Sequence, residues 1–244
     1  MGTHVNLHEC EDLNQIFCGF ERDETSGDYR VSLDDYEIDV LGSQLERAVE
    51  ELILTNPDAI LGLGERSLEK KEYQKAFRYI YPAATNQNAQ ALYLLGPMQM
   101  KGLGIPANHT TALENFSRAC EKNHVDAMYH YALMHHKGLG TKVDLKKAFD
   151  WYLKAAGKGH AASYYLLGRM YEGGKGIDPH HETAKKCYLQ AAQLGHAQAM
   201  YRIGFWYLES EKNEEAVKWL KKATKQAPHL LKYCFKFDGN QTSC

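Results

Sequence analysis

Ala91-Leu92-Tyr93-Leu94-Leu95-Gly96 is written four times along this chain of 244 residues. It returns as Ala127-Met128-Tyr129-His130-Tyr131-Ala132, as Ser163-Tyr164-Tyr165-Leu166-Leu167-Gly168 and as Ala199-Met200-Tyr201-Arg202-Ile203-Gly204, each copy 36 residues after the last. A fixed period of this length marks a repeat architecture, in which each unit is one supersecondary element stacked on the next. Ala76, Ala112, Ala148 and Ala184 keep the same period, and each opens an apolar stretch such as Ala148-Phe149, Trp151-Tyr152 and Ala155-Ala156. Those positions fall at i, i+3, i+4, i+7 and i+8, which is one face of a helix. Between the two halves lie Lys101-Gly102-Leu103-Gly104, Lys137-Gly138-Leu139-Gly140 and Gly173-Gly174-Lys175-Gly176, where glycine permits the positive φ that ends a helix. Each unit therefore reads as helix, glycine loop, helix.

Allowing a loop four residues shorter adds two copies, because Ala216 follows Ala184 by 32 and Gly64 precedes Gly96 by 32. Residues 56–227 then hold five units. The outermost two replace the glycine loop with Leu68-Glu69-Lys70-Lys71-Glu72 and Leu208-Glu209-Ser210-Glu211-Lys212, a tight polar turn between antiparallel helices. Terminal units of a solenoid are often atypical.

A small residue, an aromatic and Leu-Gly, then a Gly-x-Gly loop, Ala with Trp or Phe, and Ala-Ala followed by Gly-His, together resemble the Sel-one-like repeat family, most closely at Ser163 to Gly195. The resemblance implies an all-α, right-handed α-α superhelical solenoid related to the tetratricopeptide repeats, with capping helices. It also implies an adaptor that gathers other proteins, and in bacterial relatives a partner that regulates or inhibits a cognate enzyme by occluding it. Three residues depart from the pattern. Pro97 sits inside a first helix and is expected to kink it; His180 stands where Asp144 caps a sister helix; Cys187 takes the place of Trp151 and Trp219.

Composition is that of a globular chain, 44% hydrophobic and 25% charged, with no apolar run near the roughly 20 residues that a membrane span needs. Met1-Gly2-Thr3-His4-Val5-Asn6 lacks the basic start and apolar core of a secretory signal, and Asn6 argues against myristoylation. Cys120 and Cys187 replace alanine and tryptophan of sister units, so both read as buried, reduced side chains. Disulfide-dependent relatives pair cysteines inside each repeat, and this chain does not. The expected location is cytoplasmic, with the Asn-x-Ser/Thr triplets at Asn108, Asn115 and Asn240 accidental. A translocated bacterial effector would use the same adaptor surface on host proteins.

The net charge of −2 hides a division. Residues 1–51 carry 14 acidic and 3 basic side chains, against 17 and 26 in residues 52–244, so the leading part is −11 and the rest +9. Residues 1–42 are expected to form an acidic, poorly ordered extension. Ser43 and Glu46 make a capping box, after which Leu45, Ala48, Val49, Leu52 and Ile53 predict a lead-in capping helix over 43–55. Residues 228–244 read as a capping turn, with Leu231 and Phe235 packed on the last pair, and a tail. The leader is either a solubilising segment or an intramolecular occupant of the basic solenoid.

First helices of successive units line one groove, so residues recurring every 36 positions there form ladders along it. The aromatic ladder is Tyr93, Tyr129, Tyr165 and Tyr201; beside it runs the variable column Pro97, Leu133, Arg169 and Phe205. Tyrosine offers rigid contact area plus a hydroxyl, which suits recognition of a protein or peptide, although inter-helix packing is the competing role. With Leu92, Leu94, Met128, Leu166 and Met200 expected nearby, and Lys101, Lys137 and Arg169 at the rim, the groove predicts a partner with an apolar anchor and acidic flanks.

Chemistry finds little footing in these residues. His124, His160 and His196 keep the 36-residue spacing, which points to capping or packing rather than to metal sites. The pairs His135-His136 and His180-His181, even with Cys187, match no zinc spacing, and adjacent helical residues face different ways. No phosphate-binding loop, nucleophile elbow or His-Glu-x-x-His helix occurs, and Glu214-Glu215 sit in a charged turn. Neither a catalytic residue, a cofactor nor a metal is expected. The competing binding class is electrostatic capture of nucleic acid or anionic lipid by the +9 part, recognisable by steep salt dependence. Against it, the charge is mostly lysine on second helices, as at Lys146, Lys147, Lys185, Lys186, Lys221 and Lys222.

Overall fold

Polar caps and glycines decide where each helix begins and ends. The structure, a computed structural model, describes residues 61–230 together with 21–22 and 29–30. The first helices of the five units are α1 (Leu61–Glu69), α3 (Ala89–Lys101), α5 (Val125–Lys137), α7 (Ala161–Gly173) and α9 (Ala197–Glu209). Their second helices are α2 (Tyr73–Thr85), α4 (His109–Glu121), α6 (Leu145–Gly157), α8 (His181–Gln193) and α10 (Asn213–Gln226), followed by a 3-10 turn at Pro228–Leu230 that packs on α10. Each helix packs chiefly on its neighbours in sequence, as a solenoid of helical pairs must. The chain divides into two compact units, Met1–Thr55 and Asn56–Cys244. In the first, Glu21–Arg22 pairs antiparallel with Tyr29–Arg30. The capping box at Ser43, the helix over 43–55, the rest of the acidic extension and the packing of Leu231 and Phe235 lie outside the described residues.

The second helices start at Asn108, Asp144 and His180, whose side chains accept the N–H groups of Thr110 and Thr111, of Lys147 and of Thr183. An imidazole Nδ1 at His180, 3.1 Å from the Thr183 nitrogen, does the work of the carboxylate at Asp144, so the departure at His180 leaves the local geometry intact. Such caps are worth about 1 kcal/mol each. The first helices stop at Gly102, Gly138 and Gly174, all left-handed, whose N–H groups donate to the carbonyls of Met98, Met134 and Met170. The second glycine of each loop has a different reason. A Cβ at Gly104, Gly140 or Gly176 would run into the start of the preceding unit's second helix, at Tyr73, His109 or Leu145.

The core is built from small residues of one helix facing large residues of the next. Ala76, Ala112, Ala148, Ala184 and Ala216 are all fully buried. Gly64, Gly96, Gly168 and Gly204 lie against Ile80, Phe116, Tyr188 and Leu220, while Ala132 shares a buried cluster with Tyr152. Burial of a side chain as large as Phe116 stabilises by about 1.5–3 kcal/mol relative to leaving it exposed.

Two expectations need correction. Leu92, Met128 and Met200, expected beside the groove, are buried in the core at 0%, 3% and 6% exposure, because each precedes the ladder tyrosine and so turns toward the second-helix layer. Helix α3 continues through Pro97 to Lys101, so the proline, one turn from the helix end, does not terminate it. Cys187 is only half-buried, whereas Cys120 is buried and its thiol is pushed up to about 12, first by desolvation. Both are free thiols.

Candidate partner-binding face

Stepping along α9 by three and four residues gives Gln198, Tyr201, Arg202, Phe205 and Glu209, one continuous helical face. Subtracting 36 gives its counterparts, among them Tyr165 and Arg169 on α7, Tyr129 and Leu133 on α5, and Tyr93 and Pro97 on α3. The eight expected site residues thus share one face of the first helices. None of the variable column Pro97, Leu133, Arg169 and Phe205 belongs to the buried core; Arg169 is exposed and the other three are partly so.

Three of the four tyrosines are committed to packing. Tyr93 stacks on His124 at 4.6 Å and Tyr165 on His196 at 4.5 Å between ring centroids, while Tyr129 meets His160 at 4.7 Å with the rings tilted by 40°. Each of these histidines is also the N-cap of the next first helix, its Nδ1 accepting from the amide three residues on. The outer nitrogen is used as well. His124 Nε2 lies 2.9 Å from Gln90 Oε1, and His160 Nε2 lies 3.4 Å from Asp126. One histidine therefore caps a helix, stacks on the preceding unit's tyrosine and, in two units, bonds the residue at the start of the preceding first helix. Sequence spacing pointed to capping or packing and both occur, but the pairing of each histidine with the tyrosine before it appears only once the units are stacked.

Burial lowers the pKa of all three histidines below the usual imidazole value, with Asp126 partly offsetting this at His124 and His160. His130, His135 and His136 are lowered for the same leading reason. His135 is buried with neither ring nitrogen bonded, in edge contact with Tyr131, and His136 lies edge-on to Tyr152. Among the described residues no three metal-ligating side chains converge. No described helix is long and apolar enough to cross a membrane.

The fifth unit differs. It closes on Pro228, where units two to four close on histidine, and Tyr201 packs on Phe205 with centroids 4.6 Å apart. Here a cavity of about 440 Å³ opens, walled by Tyr165, Tyr201, Phe205 and Trp206 and edged by Gln198, Arg202 and Glu209. Trp206 stands in a column otherwise filled by the buried Met98, Met134 and Met170. Arg202 is tied to Glu172 of α7 at 3.0 Å, and the same carboxylate oxygen accepts from the Tyr188 hydroxyl at 2.9 Å.

The family model described as the Sel1 repeat matches five times, at residues 57–88, 89–124, 125–160, 161–196 and 197–228. Among solved structures, a Sel1 repeat protein from Oxalobacter formigenes is similar at 28% identity and a TM-score of 0.67, over 71% of this chain and 74% of that one. The protein c5321, a protective antigen present in uropathogenic Escherichia coli strains and displaying an SLR fold, is similar at 25% identity and a TM-score of 0.66. That match covers 75% of this chain and 40% of c5321. No curated protein matches.

Proposed function

Because the chain belongs to the Sel1 repeat family, whose members are generally protein-interaction scaffolds, we propose that it is a non-enzymatic adaptor that holds a partner protein or peptide across the first-helix face. One observation supports this reading: the repeat uses Tyr93, Tyr129 and Tyr165 in packing on the next unit's histidine but leaves Pro97, Leu133, Arg169 and Phe205 outside the buried core on the same face. The centre of the face is apolar at Pro97 and Leu133, and Lys101, Lys137 and Arg169 are exposed along it. An apolar anchor flanked by acidic residues complements that surface. Regulation or inhibition of a cognate partner follows if the bound region is the partner's own working surface. The reading places no demand on location.

Affinity capture at physiological and at high salt, from full-length chain and from a chain beginning at Ser43, tests it. A discrete protein retained at high salt is expected, with Leu133→Asp and Phe205→Asp lowering its affinity at least about tenfold, the scale of an interface anchor. Melting curves of both variants within a few degrees of the parent keep the loss attributable to binding. Retained capture by both variants removes the partner from this face. Nucleic acid that washes off with salt, in place of a protein, supports the electrostatic reading carried by Lys146, Lys185, Lys186, Lys221 and Lys222, all exposed on second helices.

A further inference from the structure

Unit three breaks a polar match that its neighbours keep. Phe116, Tyr152 and Tyr188 are fully buried rings at one register of successive second helices, and Met100, His136 and Glu172 stand at one register of the first helices of the same units. In unit four the Tyr188 hydroxyl donates to Glu172 Oε2 at 2.9 Å, and Arg202 holds the same oxygen at 3.0 Å. In unit two the pair is apolar, since Phe116 has no hydroxyl and Met100 no charge. In unit three Tyr152 keeps the hydroxyl, but His136 takes the carboxylate's position, its ring edge-on to Tyr152 with centroids 6.0 Å apart. The Tyr152 oxygen and His136 Nδ1 are both enclosed and both without a hydrogen-bond partner. Buried polar atoms are nearly always paired, so two orphans in one ring contact single out this unit.

The charge around His136 is of one sign. Lys137 follows it at the end of α5, and Arg169 lies on α7 one turn before Gly173; both cations are exposed. Gly173 holds the register of Lys101 and Lys137, and the stem of Lys175 lies across it, Cγ 3.7 Å and Cε 3.9 Å from where a Cβ would stand. Lys175 thus continues the lysine edge into unit four, beside Arg169. Lys175, Arg169 and Lys137 all act on the His136 ring, and none of the three has an ion pair among the described residues. Glu172, the carboxylate one repeat on, is already committed to Arg202 and Tyr188. A carboxylate brought by a partner gives unit three the charge that Glu172 gives unit four, and a guanidinium fork matches its two oxygens. A cationic side chain would meet like charge, and an apolar one would leave three cations unneutralised.

We infer that His136, Lys137, Arg169 and Lys175 form a receptor for one acidic side chain of the partner segment, with the Arg169 guanidinium and the His136 imidazole as its hydrogen-bond donors. The inference rests on the first-helix face being the partner surface, and it fixes where the acidic flank lies: over units three and four, one turn from the apolar Leu133 on α5. It also gives recognition a pH dependence of stated sign. Burial and the three cations lower the His136 pKa, and an anion seated among those cations opposes them. Carboxylate and imidazolium proton therefore bind together, and affinity rises as pH falls from about 7.5 to about 6. Tyr152 on α6, the other titratable group against His136, stays protonated throughout, because burial pushes its hydroxyl up.

The test uses the full-length chain with Nα-acetyl-glutamate methylamide as probe and the glutamine analogue beside it, titrated by NMR at constant ionic strength. Expected are saturable binding of the glutamate probe, at least about fivefold weaker binding of the glutamine analogue and of the glutamate probe by Arg169→Gln, and tighter binding at about pH 6 than at about pH 7.5. His136→Gln should remove that pH dependence. Arg169→Gln changes an exposed side chain, so the fold is not at stake, and the His136→Gln comparison is a ratio taken within one protein. Equal binding of the glutamine analogue, an unchanged affinity in Arg169→Gln, the same pH dependence in His136→Gln, or no saturable binding by the full-length chain each overturns the inference. Because the probe needs no partner, failure here leaves the Leu133→Asp result to judge the adaptor reading separately.

Discussion

Gly140→Ala unfolds the chain at a markedly lower urea concentration than Gly159→Ala, with a difference in stability of about 1–3 kcal/mol, the usual cost of forcing atoms into a packed site. Both glycines hold a positive φ, +69° and +87°, so alanine carries a left-handed backbone penalty of about 1–2 kcal/mol at either position. They differ in what surrounds the added carbon. A Cβ on Gly159 meets nothing within 4 Å, whereas on Gly140 it overlaps the His109 carbonyl and lies 2.8 Å from the Thr110 nitrogen. Those atoms are the opening backbone of α4, held by the Asn108 cap, and they have no rotamer by which to withdraw. Relief has to come from separating the third unit from the second. Stability in a solenoid is a sum of unit and interface contributions, so the damage falls on that one interface. Hydrogen exchange should then show amide protection lost first across α4 and α5. Equal midpoints for the two variants would show that the loop moves freely and that the second glycine has no packing role.

Gly140 also illustrates which parts of the architecture a sequence can carry. Glycine at two positions of every long loop is visible as a periodic signal, and the helix stops of the three central units follow from it, while the outer two units are found from Gly64 and Ala216. The different reasons for the two glycines are not visible, since the second depends on a neighbouring unit's backbone. The same division holds at the candidate site. Tyr93, Tyr129, Tyr165 and Tyr201 are identical by spacing, yet three pack on the next unit's capping histidine and the fourth packs on Phe205 beside a cavity. Leu92, Met128 and Met200 show the limit from the other side. Adjacent apolar residues on a helix both satisfy a periodic pattern, and only packing against the second helices assigns the one before the tyrosine to the core. Trp206, in a column of methionines, is the trace that the cavity leaves in the sequence, and its meaning depends on the position of Pro228, which closes the last unit without a histidine.

Acidification should destabilise this fold well before its carboxylates titrate. Six histidines, His124, His130, His135, His136, His160 and His196, have pKa values lowered in the folded chain, in every case first by burial. Below the ordinary imidazole pKa of about 6.5 the unfolded chain takes up protons that the folded chain refuses, so stability rises with pH in that window. The contribution is complete above about pH 6.5 and is lost as pH falls through the lowered folded values. The surrounding charges modify this without reversing it: Asp126 favours the charged form at His124, His130 and His160, while Lys147 at His135 and Arg169, Lys175 and Lys137 at His136 oppose it. Each ring held neutral contributes at most about 1.4 kcal/mol per pH unit between its folded and unfolded pKa values, and all but His135 are partly exposed, so stability is expected to fall from pH 7 to pH 5 by less than that ceiling. Three of these rings also lose their function on protonation, because Nδ1 of His124, His160 and His196 must stay unprotonated to accept the cap hydrogen bond. Asn88 performs the same capping through its amide oxygen, which does not titrate. The triple variant His124→Asn, His160→Asn, His196→Asn should therefore keep its helix starts, lose about 0.5–1.5 kcal/mol for each missing ring stack at pH 8, and show a visibly shallower fall in stability toward pH 5. Urea titrations at pH 8, 7, 6 and 5 on both proteins make the comparison. A wild-type curve flat from pH 7 to 5 would mean that these rings are not held neutral by the fold, and parallel curves for the two proteins would move the acid sensitivity to His130, His135 and His136.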